Sequence, residues 1–240
     1  MKFFLATVLL IPILGVMVLF SLPRPQFEIE AARPHFWGYP SLSEAKYKTE
    51  IMDDGKVLIE IEHPVLKGVT PEMLSWWYRN LSTGKAVVQG KEYDYYHLFH
   101  LTEHGQTSVV EAATDGSNGM GVGAVMYRQE RFGTYLSKGK GRVESYGVDG
   151  FVVIPVMGPL EFGRIEHTFV AQDGGTLYRV KSILGSNAPV IGPLLTYYIR
   201  TKQFPPEVVQ EWIRHQVEEV GSLVSFLPEL YKTPTSLNLK

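Results

Sequence analysis

The chain predicts an α+β fold: a curved antiparallel sheet set against one long C-terminal helix. Three observations lead there. The middle of the 240-residue chain is a succession of short strand-like runs punctuated by Gly, Asp or Asn. No helix-length spacer separates those runs, so neighbouring strands pair antiparallel. One long amphipathic segment follows them near the C-terminus, and a sheet with a helix on one face is a stable two-layer solution. Apolar residues make up 45% of the sequence, enough for a large core, which excludes a disordered chain.

Phe3 to Leu22 carries no charged residue. As a helix it spans about 30 Å, the thickness of a bilayer core. Lys2 precedes it, Arg24 follows it, and no small-x-small cleavage site lies in Phe20-Ser21-Leu22-Pro23-Arg24-Pro25. Residues 1–22 therefore read as an N-terminal transmembrane anchor or uncleaved signal. Pro12 is tolerable in a membrane helix. The bulk of the chain is then expected to face the periplasm or another non-cytoplasmic side. Residues 23–45, with Pro23, Pro25, Pro34, Phe36, Trp37 and Pro40, read as a linker.

The main domain is expected over residues 46–232, with a tail at 233–240. Lys56–Glu62 alternates as a strand. Thr70, Pro71 and Glu72 are an N-cap, a first-turn proline and an acid suited to the positive helix end, so a helix runs from there to about Leu81. Strands follow at Val109–Ala113, Gly121–Arg131, Gly141–Tyr146, Phe151–Pro155, Gly163–Ala171 and Thr176–Leu184, the last two joined by the turn Asp173-Gly174-Gly175. The final helix starts near Pro205-Pro206-Glu207 and runs to about Leu227. A sheet wrapped on a helix can leave a cavity between them, a usual place for a small-molecule site.

A net charge of −2 and the lack of a basic stripe argue against nucleic acid as a partner. With no cysteine, any metal must be held by His, Asp or Glu. In the last helix Val209, Trp212, Ile213, Gln216, Val220, Leu223 and Leu227 share one face, and His215 and Glu219 lie along its edge. Their i, i+4 spacing lets an imidazole and a carboxylate reach one ion. An exposed helix pair has the same spacing. Glu211, Glu218, Arg214 and Gln210 are expected to point elsewhere. Three of the seven histidines fall within His97–His104. In extended chain Tyr96, Leu98, His100, Thr102 and His104 share one side and His97 takes the other. An aromatic edge strand with surface histidines would look alike. Glu130 ends a strand and is either a site carboxylate or a surface partner of Arg128 or Arg131. His167 stands among strand-like residues, where a histidine is often structural. Two histidines and two carboxylates suit a four-ligand zinc site, and the interleaved tyrosines suit an aromatic ligand.

Thr70-Pro71-Glu72-Met73-Leu74-Ser75-Trp76-Trp77-Tyr78, His97–His104, His215-Gln216-Val217-Glu218-Glu219-Val220-Gly221 and Leu227-Pro228-Glu229-Leu230-Tyr231, in this order, resemble the 2,4-diacetylphloroglucinol hydrolase family, which includes phloretin hydrolases. The resemblance covers residues 45–232. It implies a Bet v 1-like, START-like domain that cleaves the carbon–carbon bond between an acyl group and a phenolic ring. The substrate would be a small aromatic ketone. It further implies a zinc ion held by two histidines and two glutamates, carried over to His100, Glu130, His215 and Glu219, with His104 the alternative to His100. His167 would fall near the substrate, and His167, His104, Tyr95 or Tyr96 would donate or orient protons. Around the first ligand the family pattern Trp-His-Pro-x-Asp-His is replaced by Phe99-His100-Leu101-Thr102-Glu103-His104, so the pocket lining differs. The N-terminal anchor is a second departure. A membrane-tethered protein that binds an aromatic or lipid ligand without chemistry is the competing expectation.

Overall fold

A computed structural model describes residues 32–237, together with residues 18, 20, 21 and 26–29. Apart from those few positions, the anchor expected over residues 1–22 lies outside the described residues. Among the described residues no helix is long and apolar enough to cross a membrane.

The strands are β1 (Lys46–Ile51), β2 (Val57–Glu62), β3 (Leu66–Lys67), β4 (Lys85–Val88), β5 (Lys91–Asp94), β6 (His104–Glu111), β7 (Val125–Phe132), β8 (Tyr135–Gly147), β9 (Gly150–Met157), β10 (Leu160–Glu161), β11 (Gly163–Gln172), β12 (Gly175–Leu184) and β13 (Ser236–Leu237). The helices are α1 (Pro71–Asn80), α2 (Tyr95–Phe99), α3 (Gly192–Tyr198), α4 (Pro206–Ser222) and α5 (Leu227–Lys232). The main sheet is antiparallel throughout, in the order β1-β2-β12-β11-β9-β8-β7-β6, with β10 beside β9 and β3 beside β12. Irregularities in the β6–β7 and β8–β9 pairings bend it. The expected antiparallel sheet and long C-terminal helix are both present.

Local sequence explains the elements that seat the core. Thr70 caps α1, its hydroxyl accepting from the Met73 N–H at 3.3 Å. That helix buries Leu74, Trp77 and Tyr78. Pro206 opens α4, which buries Val208, Val209, Trp212, Ile213, Val217 and Val220. Along β12 the residues Thr176, Tyr178, Val180, Ser182 and Leu184 alternate inward. β1 is exposed at all six positions and forms one edge of the sheet.

Three readings change. The segment expected to run extended through Tyr96–His104 makes the helical turn α2 first, and only at His104 does a strand begin. Tyr95, Tyr96, Leu98 and Phe99 are all buried, which a strand with one solvent face could not achieve. Residues 32–45, read as linker, dock on the domain: Trp37 stacks on Phe226 with centroids 4.5 Å apart, and the Leu101 N–H donates to the Tyr39 hydroxyl at 2.7 Å. The tail contributes β13, which pairs parallel with β4.

Candidate metal centre

β6 and β7 pair so that His104 stands directly opposite Glu130. Cross-strand partners point to the same face, and both side chains are buried under α4. From that helix His215 and Glu219, one turn apart, point back at the sheet. The four are 0%, 8%, 0% and 5% exposed in the order named, so two carboxylates and two imidazoles share one dry space. His104 Nε2 lies 3.2 Å from His215 Nε2, 3.2 Å from Glu219 Oε2 and 4.0 Å from Glu130 Oε1. His215 Nε2 lies 3.6 Å from Glu219 Oε2. Ligand atoms about 2.1 Å from a tetrahedral centre stand roughly 3.4 Å apart. The observed spacings bracket that value.

The tautomers strengthen this geometry. His104 Nδ1 is 2.6 Å from the Tyr96 carbonyl oxygen, which can only accept. His215 Nδ1 is 2.8 Å from Glu103 Oε2. Both Nδ1 atoms therefore carry protons, and in the neutral rings both Nε2 atoms present lone pairs to each other and to two carboxylates. The acceptor atoms of His104, His215 and Glu219 all lie within 4.8 Å of one another, with Glu130 beside His104, and such a set with no donor among them is unstable without a cation. The protein alone relieves it with a proton. Burial works against charge on His215, but Glu219, with Glu103 and Glu130, lifts its pKa to about 10. Burial also works against charge on Glu219, yet His215 and His104 hold its pKa at about 2. The direction is that of a proton occupying a place suited to a divalent ion.

An outer ring of polar contacts fixes the four. The Tyr96 hydroxyl donates to Glu130 Oε1 at 2.6 Å, and its ring stacks on His104 with centroids 4.0 Å apart. Arg128 donates to the other Glu130 oxygen, and Gln216 donates to Glu219 Oε1. Arg214 and the Gly133 N–H hold Glu103. Arg33 donates to the His104 carbonyl at 2.8 Å. Such partners orient ligands and tune their basicity.

His100, expected among the four, stands outside them. It ends the turn of α2, and its ring stacks on His215 with centroids 4.5 Å apart. Its Nε2 is 3.0 Å from Glu218 Oε2, and burial, with the charges of His215, His104, Arg214 and Arg131, pushes its pKa down. His100, Glu103 and His215 form a second cluster, but there the His215 nitrogen is the protonated Nδ1 and Glu103 is engaged by Arg214. His104, carried also as a proton-transfer candidate, supplies the imidazole beside His215. Tyr95 is remote from the cluster: it stacks on Trp77 and its hydroxyl donates to the Pro234 carbonyl. Glu218 and Arg214, expected to point away, brace His100 and Glu103 instead. Glu103 was missed as a partner of His215. Its sign in the sequence is a carboxylate inside the histidine-rich segment.

The sheet face between this cluster and His167 is partly open. Met126 and Arg128 share the face of Glu130, and Gly139 and Gly141 stand opposite them on β8. Beyond lie Val153 and Ile165, paired with each other, and then His167. All of these are half-buried. A Cβ on Gly139 would meet nothing within 4 Å, so the space above it is empty. His167 is half-buried, and burial is the main cause holding its pKa at about 4.

No protein family profile matches the chain, and no curated protein does. Among solved structures it is similar to Ara h 8.0201, with 15% identity over 71% of this chain and 98% of that one and a TM-score of 0.44. It is also similar to a START-superfamily protein from Mycobacterium smegmatis, with 11% identity over 75% and 96% and a TM-score of 0.43. Identities this low carry nothing about chemistry.

Proposed function

We propose that this chain is a Bet v 1-like, metal-dependent hydrolase that cleaves the bond between an acyl group and a phenolic ring, tethered to a membrane by its N-terminal segment. The observation that carries the metal is the convergence of His104, His215 and Glu219, with both imidazoles held by their Nδ1 partners and Glu130 4.0 Å from His104 as the fourth group. Zinc is the ion proposed, because three N/O ligands at tetrahedral spacing, with a nearby carboxylate for a fourth place, suit it. When bound, zinc supplies Lewis acidity toward a carbonyl oxygen and lowers the pKa of a coordinated water to about 7. The acyl–aryl specificity comes from the resemblance of the sequence motifs. The half-open apolar face of Met126, Val153 and Ile165 supports a flat, mostly apolar substrate.

Within this reading each residue has a task. Tyr96 and Arg128 fix the Glu130 carboxylate, and Glu103 keeps the proton on His215 Nδ1. The apolar walls exclude bulk water from the carbonyl. The net reaction adds one water: the acyl carbon gains the hydroxyl, the carbon–carbon bond breaks, and the ring carbon takes a proton.

The test is metal analysis of the full-length chain in detergent after zinc loading. One zinc per chain is expected, lost in His104→Ala and His215→Ala and retained in His100→Ala. Retention in His104→Ala would remove the proposed site. Loaded protein should then release acid from an acylphloroglucinol. A metal-free protein that holds an aromatic ligand unchanged would instead be a carrier.

A further inference from the structure

The tyrosines behind His167 set its protonation pattern opposite to that of the metal-facing pair. His167 Nδ1 lies 2.8 Å from the Tyr178 hydroxyl, which lies 2.5 Å from the Tyr78 hydroxyl. Tyr78 and Tyr178 are buried, at 5% and 0% exposure, so each hydroxyl proton needs an acceptor. Two directions are possible for this chain of bonds. If His167 Nδ1 donated to Tyr178, Tyr178 would donate to Tyr78, and the Tyr78 proton would have no acceptor among the described residues. A buried donor left without an acceptor keeps the full cost of its desolvation, which disfavours this direction. If Tyr78 donates to Tyr178 and Tyr178 to Nδ1, both buried hydroxyl protons are matched, and the proton left over is the Nε2–H of the half-buried His167, which solvent or a ligand can reach. His63, which packs edge-on against Tyr178 with centroids 5.2 Å apart, makes no hydrogen bond with either ring nitrogen and so does not compete.

We infer that Tyr178, backed by Tyr78, is a positioning residue that locks His167 as the neutral Nε2–H tautomer, so that His167 offers the open space a hydrogen-bond donor and never a lone pair. His167 Nε2 makes no hydrogen bond among the described residues. Stacking on Phe151, with centroids 4.2 Å apart, fixes the ring plane. A neutral N–H takes an acceptor oxygen, a carbonyl or phenolic oxygen of a ligand, and cannot serve as a general base. His104 and His215 carry their Nδ1 protons on the side away from the cluster, whereas His167 carries its proton on Nε2, the side that faces the sheet's open space. The inference stands without the metal, because it concerns bonds on β11, β12 and α1 alone.

The test uses metal-free, full-length chain in detergent, labelled with ¹⁵N-histidine. His167→Asn assigns the resonance. The wild-type ring is expected as the Nε2–H tautomer. Tyr178→Phe should release it to a mixture, and Tyr78→Phe should leave it in place, since Tyr178 still donates. Acetophenone and α-methylstyrene, alike in shape but with and without an acceptor oxygen, report the consequence. A preference for acetophenone of about tenfold, the worth of roughly one hydrogen bond, should fall below about threefold in Tyr178→Phe. A wild-type Nδ1–H tautomer would overturn the inference whether or not the variants fold. So would an unchanged tautomer in folded Tyr178→Phe, or equal affinity of the wild type for the two probes.

Discussion

Glu103 shows how much a centre depends on a residue that need not touch an ion. It takes the His215 Nδ1 proton at 2.8 Å and is itself held by Arg214 at 2.7 Å. Glu103→Gln is expected to weaken zinc binding about 10–100-fold while leaving all four proposed ligands in place, measured by competition with a chromophoric chelator. The same cluster predicts how the metal-free protein responds to pH. The folded pKa of His215 lies above the ordinary 6.5, so its contribution is complete below about 6.5 and is lost as pH rises through about 10. Glu219 lies below the ordinary 4.5, so its contribution is complete above about 4.5 and is lost as pH falls through about 2. The melting temperature of chelated protein should therefore decline from pH 6.5 toward 10. If the proposed zinc binds there it would take the proton's place, and loaded protein is then expected to lose that alkaline decline in parallel calorimetric scans. His215 and Glu219 were legible from i, i+4 spacing because a helix places them by rule. His104 against His100 was not, because the choice depends on where the chain leaves a helical turn and enters a strand.

At the scale of elements, pairing register supplies half the cluster and helix periodicity the other half. The presence of strands in the middle of the chain was readable from Gly and Asp punctuation, as in Asp173-Gly174-Gly175 between β11 and β12, whereas β6, β7 and β8 begin at His104, Val125 and Tyr135 rather than at Val109, Gly121 and Gly141. α2 was not, since five residues of Tyr, His, Leu and Phe carry no period that separates helix from strand. Gly150, at the turn between β8 and β9, has φ +141°, and a Cβ there would sit 2.0 Å from the His167 carbonyl oxygen. Gly150→Ala is expected to cost about 1–3 kcal/mol and to shift the His167 ring resonances, read by melting and by ¹⁵N spectra. An unchanged melting temperature would mean that the turn relaxes without strain.

For the whole molecule, the α+β class and the sheet-on-helix layout followed from the order of patterns, whereas long-range docking left little trace. Pro-rich composition suggested a linker before residue 46. In the fold, Arg33, Trp37 and Tyr39 clasp the His104 carbonyl, Phe226 and the Leu101 N–H. A chain truncated to begin at residue 46 should melt lower and bind zinc more weakly than one beginning at residue 32. Equal values for both would reduce that stretch to a tether. The outermost strand β1 has a different consequence. Its free backbone groups form a template onto which a second copy could add. Lys46, Lys48 and Glu50 line one side of that border, where Lys46 and Lys48 stand opposite Glu62 and Glu60 across the pairing and Lys48 pairs with Glu50. Two such borders laid together would have to desolvate their charges, and crowding many copies together would not zip them into fibres.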